Sequence, residues 1–249
     1  MENDYFLTAA VISVQGNFRK SCYKWDISVH YGLEVVMNAP NFEHAAAYAR
    51  QRLSTELAPH LTYHSLVHTA HEVVPAVRRF AALESVTGES EQLLVTAAWF
   101  HDLGYVVQIN DHERISAEIA ASVLPGLGFS NEQVEVIRGI IQATRLPQSP
   151  STLLEQIMAD ADLNVLGQED FLLRNEDLRA ELAVIDHPVT DSQWYTGQLA
   201  FLRAHNYFTR SATLANRMQK SRNINLLIEL MAKCQDKGSS VQHTEASNL

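Results

Sequence analysis

Four of the eleven histidines, His60, His64, His68 and His71, fall within twelve consecutive positions. If residues 64–71 are helical, His64, His68 and His71 stand at i, i+4 and i+7 and share one face, because each residue turns the helix by ~100°. Imidazoles stacked in this way could converge on one metal ion or one phosphate; a solvated helix face is the plain alternative. A second feature is His101-Asp102, which closes the apolar run Leu93, Leu94, Ala97, Ala98 and Phe100. Burying that carboxylate is costly unless it is paired or bound to a cation, so metal ligation is the economical reading and an ion-paired helix end the plain one. A third is Asp160-Ala161-Asp162, set among Leu153, Leu154, Ile157, Met158 and Leu166. Two positions along a helix are about 200° apart, so only one of the two acids faces a shared site. The other is left to hydrogen-bond a neighbouring element.

Residues this far apart meet only if helices carry them to one place. Phe42, Ala45, Ala46, Ala49, Leu53 and Leu57 recur at three- and four-residue spacing between Pro40 and Pro59, which predicts an amphipathic helix. The same period returns over residues 64–235, broken by Gly88, Gly104, Pro125-Gly126, Pro147, Pro150 and Gly167. Ser130 and Gln133 predict a capping box ahead of Val134, Ile137, Ile140 and Ile141. Tyr23, Trp25, Ile27, Val29 and Tyr31 instead alternate with polar neighbours, the period of a strand, so residues 1–37 read as an N-terminal extension with a β-hairpin. Residues 236–249 are polar and aperiodic and predict a disordered tail. The expected fold is therefore all-α: a compact helical bundle over residues 38–235.

Composition narrows the partners. With 249 residues, a net charge of −10 and 46% hydrophobic residues, the chain has a soluble globular make-up and length enough for a large core. The acidic balance speaks against nucleic acid or an anionic membrane as partner, since either would reward a basic surface. Two distant cysteines, Cys22 and Cys234, indicate neither a disulfide framework nor a thiolate metal cage. The first residues lack the basic region and cleavage site of a signal peptide, and no apolar stretch reaches the ~20 residues of a membrane helix, so a cytoplasmic protein is expected.

Together, in order, these residues resemble the HD-domain metal-dependent phosphohydrolases, whose mark is a histidine, then an adjacent His-Asp pair, then a distant aspartate. His68, His101, Asp102 and Asp162 match that order within Tyr63-His64-Ser65-Leu66-Val67-His68-Thr69, Ala97-Ala98-Trp99-Phe100-His101-Asp102-Leu103-Gly104 and Asp160-Ala161-Asp162-Leu163-Asn164-Val165-Leu166-Gly167. The resemblance covers residues 41–230 and implies an HD-type helical bundle. It also implies His68, His101, Asp102 and Asp162 as ligands of a divalent metal ion, with Mn, Fe, Zn, Ni and Mg all compatible with imidazole and carboxylate donors. Either His64 or His68 could supply the leading histidine, and either Asp160 or Asp162 the final aspartate; the family words favour His68 and Asp162.

The Tyr-His-x-x-x-His-Thr segment is similar to the cyclic-nucleotide phosphodiesterase branch, which implies that His64 gives a proton to the leaving group. An imidazole, with a reference pKa of ~6.5, suits that task. His112 and Glu113 resemble a position where some members bind phosphate or a second metal, although acids also favour a helix N-terminus for dipole reasons. Arg145 could neutralise a substrate phosphate, or simply stabilise a helix C-terminus. Trp194, Tyr195, Tyr207 and Phe208 could stack on a base or pack in the core. The implied activity is metal-dependent hydrolysis of a phosphate ester of nucleotide type, cyclic nucleotides ranked first, with Asp102 counted in the catalytic centre and a homo-oligomer compatible with the sequence. The competing reading is a regulatory module that binds metal or nucleotide on the same fold without turnover.

Overall fold

Helix α3 (Glu89–Phe100) explains the centre of the molecule. Its first turn carries Glu89 and Glu91, favourable at the positive end of a helix, and every residue from Leu93 to Phe100 is buried. A helix that is apolar all round must be enclosed by others. Packed against it are α1 (Phe42–Thr55), α2 (Val74–Leu83), α5 (Asn131–Gln142) and α6 (Leu153–Asp162). Phe80, Phe100, Ile137, Ile141, Ile157 and Met158 are fully buried where they meet. Each such side chain contributes about 1.5–3 kcal/mol of burial free energy.

A computed structural model describes residues 39–245 apart from His187, with side chains through residue 234. Among the described residues there is no strand, and the architecture is the expected all-α bundle. No helix among them is long and apolar enough to cross a membrane. The hairpin read in residues 1–37 lies outside the described residues. Helix starts follow local chemistry: Ser130 with Gln133, Thr152 with Glu155 and Thr190 with Gln193 form reciprocal capping boxes at α5, α6 and α8 (Asp191–Ala204).

Helix α4 (His112–Val123) lies across α5, and its start is fixed by a close approach. A Cβ on Gly104 would stand 2.0 Å from the carbonyl oxygen of His112, so only glycine lets the turn after α3 touch the first residue of α4. The Gly104 amide also donates to Ser116 Oγ at 2.7 Å. A second apolar cluster, including Tyr63, Leu166, Phe171, Leu199, Leu202 and Leu227, joins α7 (Phe171–Ile185), α8 and α9 (Arg210–Glu245). The polar stretch expected as a tail from residue 236 continues α9 in backbone through Glu245. It contains no proline to stop the helical hydrogen-bond ladder.

Candidate metal centre and adjoining cavity

His68 opens a π-helical turn, His68–Val73, that runs directly into α2. His101 is the C-terminal cap of α3, Asp102 follows it, and Asp162 is the last residue of α6. These three helix ends meet. His68 Nε2 stands 3.3 Å and His101 Nε2 3.4 Å from the same oxygen, Asp162 Oδ1. Asp102 Oδ2 lies 3.2 Å from His101 Nε2 and 3.9 Å from His68 Nε2. His101 Nδ1 donates to the Ala98 carbonyl at 2.8 Å, which leaves Nε2 as the atom turned to the cluster.

The donor set fits a divalent cation. Donor atoms of His68, His101 and Asp162 all lie within 4.8 Å of one another. His101 Nε2 and Asp102 Oδ2 are buried without a hydrogen-bond partner, an arrangement that is costly unless an ion satisfies both. The charge pattern agrees. Burial pushes the Asp102 carboxyl up, but the facing imidazoles, His101 first, hold it well below the usual carboxylate range. Asp162 is lowered in the same way by His101 and His68.

A further layer orients His68. His68 Nδ1 pairs with Glu72 Oε2 at 2.9 Å, and Glu72 Oε1 pairs with Arg174 Nε at 2.6 Å. Arg174 itself is buried and also donates to the Tyr63 carbonyl. A carboxylate behind a ligating imidazole fixes its ring and tautomer. Burial alone would lower the His68 pKa, but hydrogen bonds to Asp162 and Glu72 outweigh it and raise it to about 9.

His64 is not on the helix face shared by His68. It sits in the bend just before the helical turn, and the three-histidine face of the sequence reading is not formed, since His71 points to solvent. Instead His64 Nδ1 pairs with Glu181 Oε1 at 2.5 Å, and Glu181 Oε2 accepts the backbone amides of Tyr63 and His64 at 2.9 and 3.0 Å. Burial raises the Glu181 pKa, but these hydrogen bonds, His64 first, keep it below the usual carboxylate range. An ionised carboxylate only accepts, so Nδ1 carries a proton and Nε2 is the atom left for chemistry. The His64 ring stacks on Tyr105, and Tyr105 on His112, with centroids 4.4 and 4.1 Å apart.

His64, Asp102, Tyr105, His112, Glu113 and Asp162 form one end of a cavity of about 310 Å³. His112 Nε2 is 3.8 Å from Asp102 Oδ1 and 3.5 Å from Glu113 Oε1, so both residues of that pair reach the site. Arg145 does not. Its neighbours Thr144 and Leu146 line the cavity, while its own side chain is 61% exposed and lies 3.5 Å from Asp111 on the surface. In the turn that follows α5, adjacent side chains diverge, and the middle one points away. None of Trp194, Tyr195, Tyr207 and Phe208 lines the cavity; Trp194 is buried and donates to Asn175 at 2.7 Å. Asp160 faces away from the cluster and accepts the backbone amides of Phe208 and Thr209, each at 2.8 Å.

Residues 56–163 match the family model described as the HD domain. That segment of the chain is similar to the HD domain. The match spans the helices that deliver His68, His101, Asp102 and Asp162. The fold of the HD domain and of the helices beyond it is similar to a crystal structure of a predicted HD superfamily hydrolase from an uncultured Thermotogales bacterium. That likeness has a TM-score of 0.54 at 19% identity and covers 80% of this chain and 97% of the other. Comparison with curated proteins finds no match.

Glu72, Arg174, Glu181 and Tyr105 were not singled out by sequence. Glu72 lies four residues after His68, the spacing of a helical pair, which is a signal that could have found it. Glu181 and Arg174 are more than a hundred positions from His64, Tyr63 and Glu72, and no local signal ties them to the site.

Proposed function

We propose that this HD domain is a metal-dependent phosphohydrolase that cleaves a phosphate ester of nucleotide type, with a cyclic nucleotide the first candidate. The observation that carries this reading is His64, held by a buried carboxylate with its Nε2 free, in a cavity that also reaches Asp102 and Asp162. His68, His101, Asp102 and Asp162 would hold the ion. When bound, a divalent ion supplies positive charge at the phosphoryl oxygens and makes water more acidic.

The remaining work falls to the chain. Glu181 keeps a proton on His64 Nδ1 and stabilises the ring when Nε2 is also protonated, so Nε2 can deliver that proton to the leaving oxygen. Tyr105 holds the His64 plane by stacking, and burial followed by the Asp102 charge keeps its phenol protonated. His112 stands where it can donate to a phosphoryl oxygen from the opposite side of Tyr105's contact with His64.

The test is a panel of a cyclic nucleotide, a nucleoside monophosphate and p-nitrophenyl phosphate offered to metal-stripped protein and to protein restored with Mn, Fe, Zn, Ni or Mg. Product release that depends on added metal is expected. Binding of nucleotide with no product under any ion would replace the enzyme reading by that of a regulatory binding module.

A further inference from the structure

The cavity divides into two chemistries. Its charged groups gather at the metal end: Asp102, Asp162 and Glu113, with His64 and His112. The opposite walls come from the turn after α6 and from α7 and α8, and are apolar, with Leu166, Phe171, Leu178, Leu182 and Phe201 among them. Two amides interrupt this surface, and they are largely spent: Asn175 Oδ1 accepts from Trp194 Nε1 at 2.7 Å, and Asn175 Nδ2 donates to Gln198 Oε1 at 2.7 Å. Among the described residues, no lysine or arginine lines the cavity.

Cations near the walls are committed elsewhere. Arg174 is held by Glu72 and Asp177, Arg179 pairs with Asp191, and Arg145 stands outside beside Asp111. One phosphoryl group at the metal end would meet the ion and two imidazoles. A second anionic group placed further in would be buried against leucine and phenylalanine with no counter-charge, the arrangement that desolvation penalises most. The chain's net charge of −10 adds to that penalty for any polyanion.

We propose that the site selects substrates with a single phosphoryl group joined to an uncharged, ring-type apolar group, and discriminates against polyphosphates and against rings that carry a further negative charge. This rests on the phosphohydrolase reading for the placement of the phosphoryl group at the metal end. A cavity of about 310 Å³ is at the small end for ligand sites and suits one compact ring system. Rejection here comes from the missing cation as much as from the apolar fit.

Two ligands that differ by one charge decide it. Phenylphosphonate and 4-carboxyphenylphosphonate are titrated calorimetrically into the manganese-loaded full chain. Phenylphosphonate should bind at least tenfold more tightly, with a negative heat-capacity change from apolar burial. Leu182→Lys places a cation at a cavity wall that is already 39% exposed, so the fold should tolerate it, as an unchanged thermal melt would verify. In that variant the preference should shrink by tenfold or reverse. Equal affinities in the unaltered protein, or tighter binding of the carboxylated ligand, overturn the proposal. So does a ratio that Leu182→Lys leaves unmoved in a folded protein. Hydrolysis of p-nitrophenyl phosphate and of a nucleoside triphosphate is measured alongside. Retained binding preference with no hydrolysis of either would sink the phosphohydrolase reading alone, whereas turnover with the triphosphate favoured would sink the selectivity alone.

Discussion

Asp160 and Asp162 stand two residues apart and serve different partners. Asp162 Oδ1 touches both His68 and His101, whereas both oxygens of Asp160 cap the chain at Phe208 and Thr209. Asp162→Ala should therefore abolish metal uptake with a small effect on folding of the ion-free protein. Asp160→Ala should retain metal and lose about 2–4 kcal/mol of stability, because buried amides lose a charged acceptor. Metal analysis and urea titration of the two variants check this, and equal metal loss would show that both acids enter the centre. His64→Ala should keep its metal and lose roughly 10²–10⁴ in turnover, the usual contribution of a proton donor. Its defect should be much smaller on p-nitrophenyl phosphate, whose leaving group needs little protonation. His68→Ala should lose metal and activity together, since its ring faces Asp162 in the candidate metal cluster and is backed by Glu72.

At the scale of elements, the turn between α3 and α4 carries the strictest steric demand. Because a Cβ on Gly104 would overlap the His112 carbonyl, Gly104→Ala should push the start of α4 outward and cost about 1–3 kcal/mol. His101 and Asp102 precede the clash, so metal content should stay while KM rises as His112 and Glu113 withdraw; loss of metal instead would show that α4 also supports the ligand cluster. The helices themselves were legible because their apolar spacing is repeated many times: α3, α5 and the Ser130–Gln133 capping box follow the sequence pattern directly. The order His68, His101-Asp102, Asp162 was legible through the resemblance of the words around it to the HD-domain pattern, and His101-Asp102 and Asp162 also stand where an apolar helix ends. The single face of His64, His68 and His71 was not a safe reading. Regular periodicity assumes an α-helix, and here a bend precedes a π-turn. The supports Glu181 and Arg174 are tertiary partners that no local period encodes. Arg145 shows the converse limit, because a position next to cavity residues says nothing of which way its own side chain turns.

Across the whole molecule, acidification should weaken the fold at the end of α8. His205 lies at the end of α8, where burial first and the Lys220 charge second lower its pKa to about 4. The unfolded chain takes up this proton near pH 6.5 and the folded one only near 4, so stability falls as pH drops through that window and levels below it. His205→Gln should flatten that segment of the stability curve, and an unchanged slope would assign the loss to other groups. Metal at a hundred times its Kd should raise stability by about 2.7 kcal/mol if the unfolded chain does not bind it. The last turn of α6 gives that stabilisation a direction. One side of it ends in the candidate metal cluster and the other in the amides just before α9, so fluctuations that release residues 208–209 must disturb the same turn that presents Asp162. In hydrogen-exchange terms, ion binding should slow the Phe208 and Thr209 amides more than amides at the start of α1, making the opening of α9 a reporter of site occupancy.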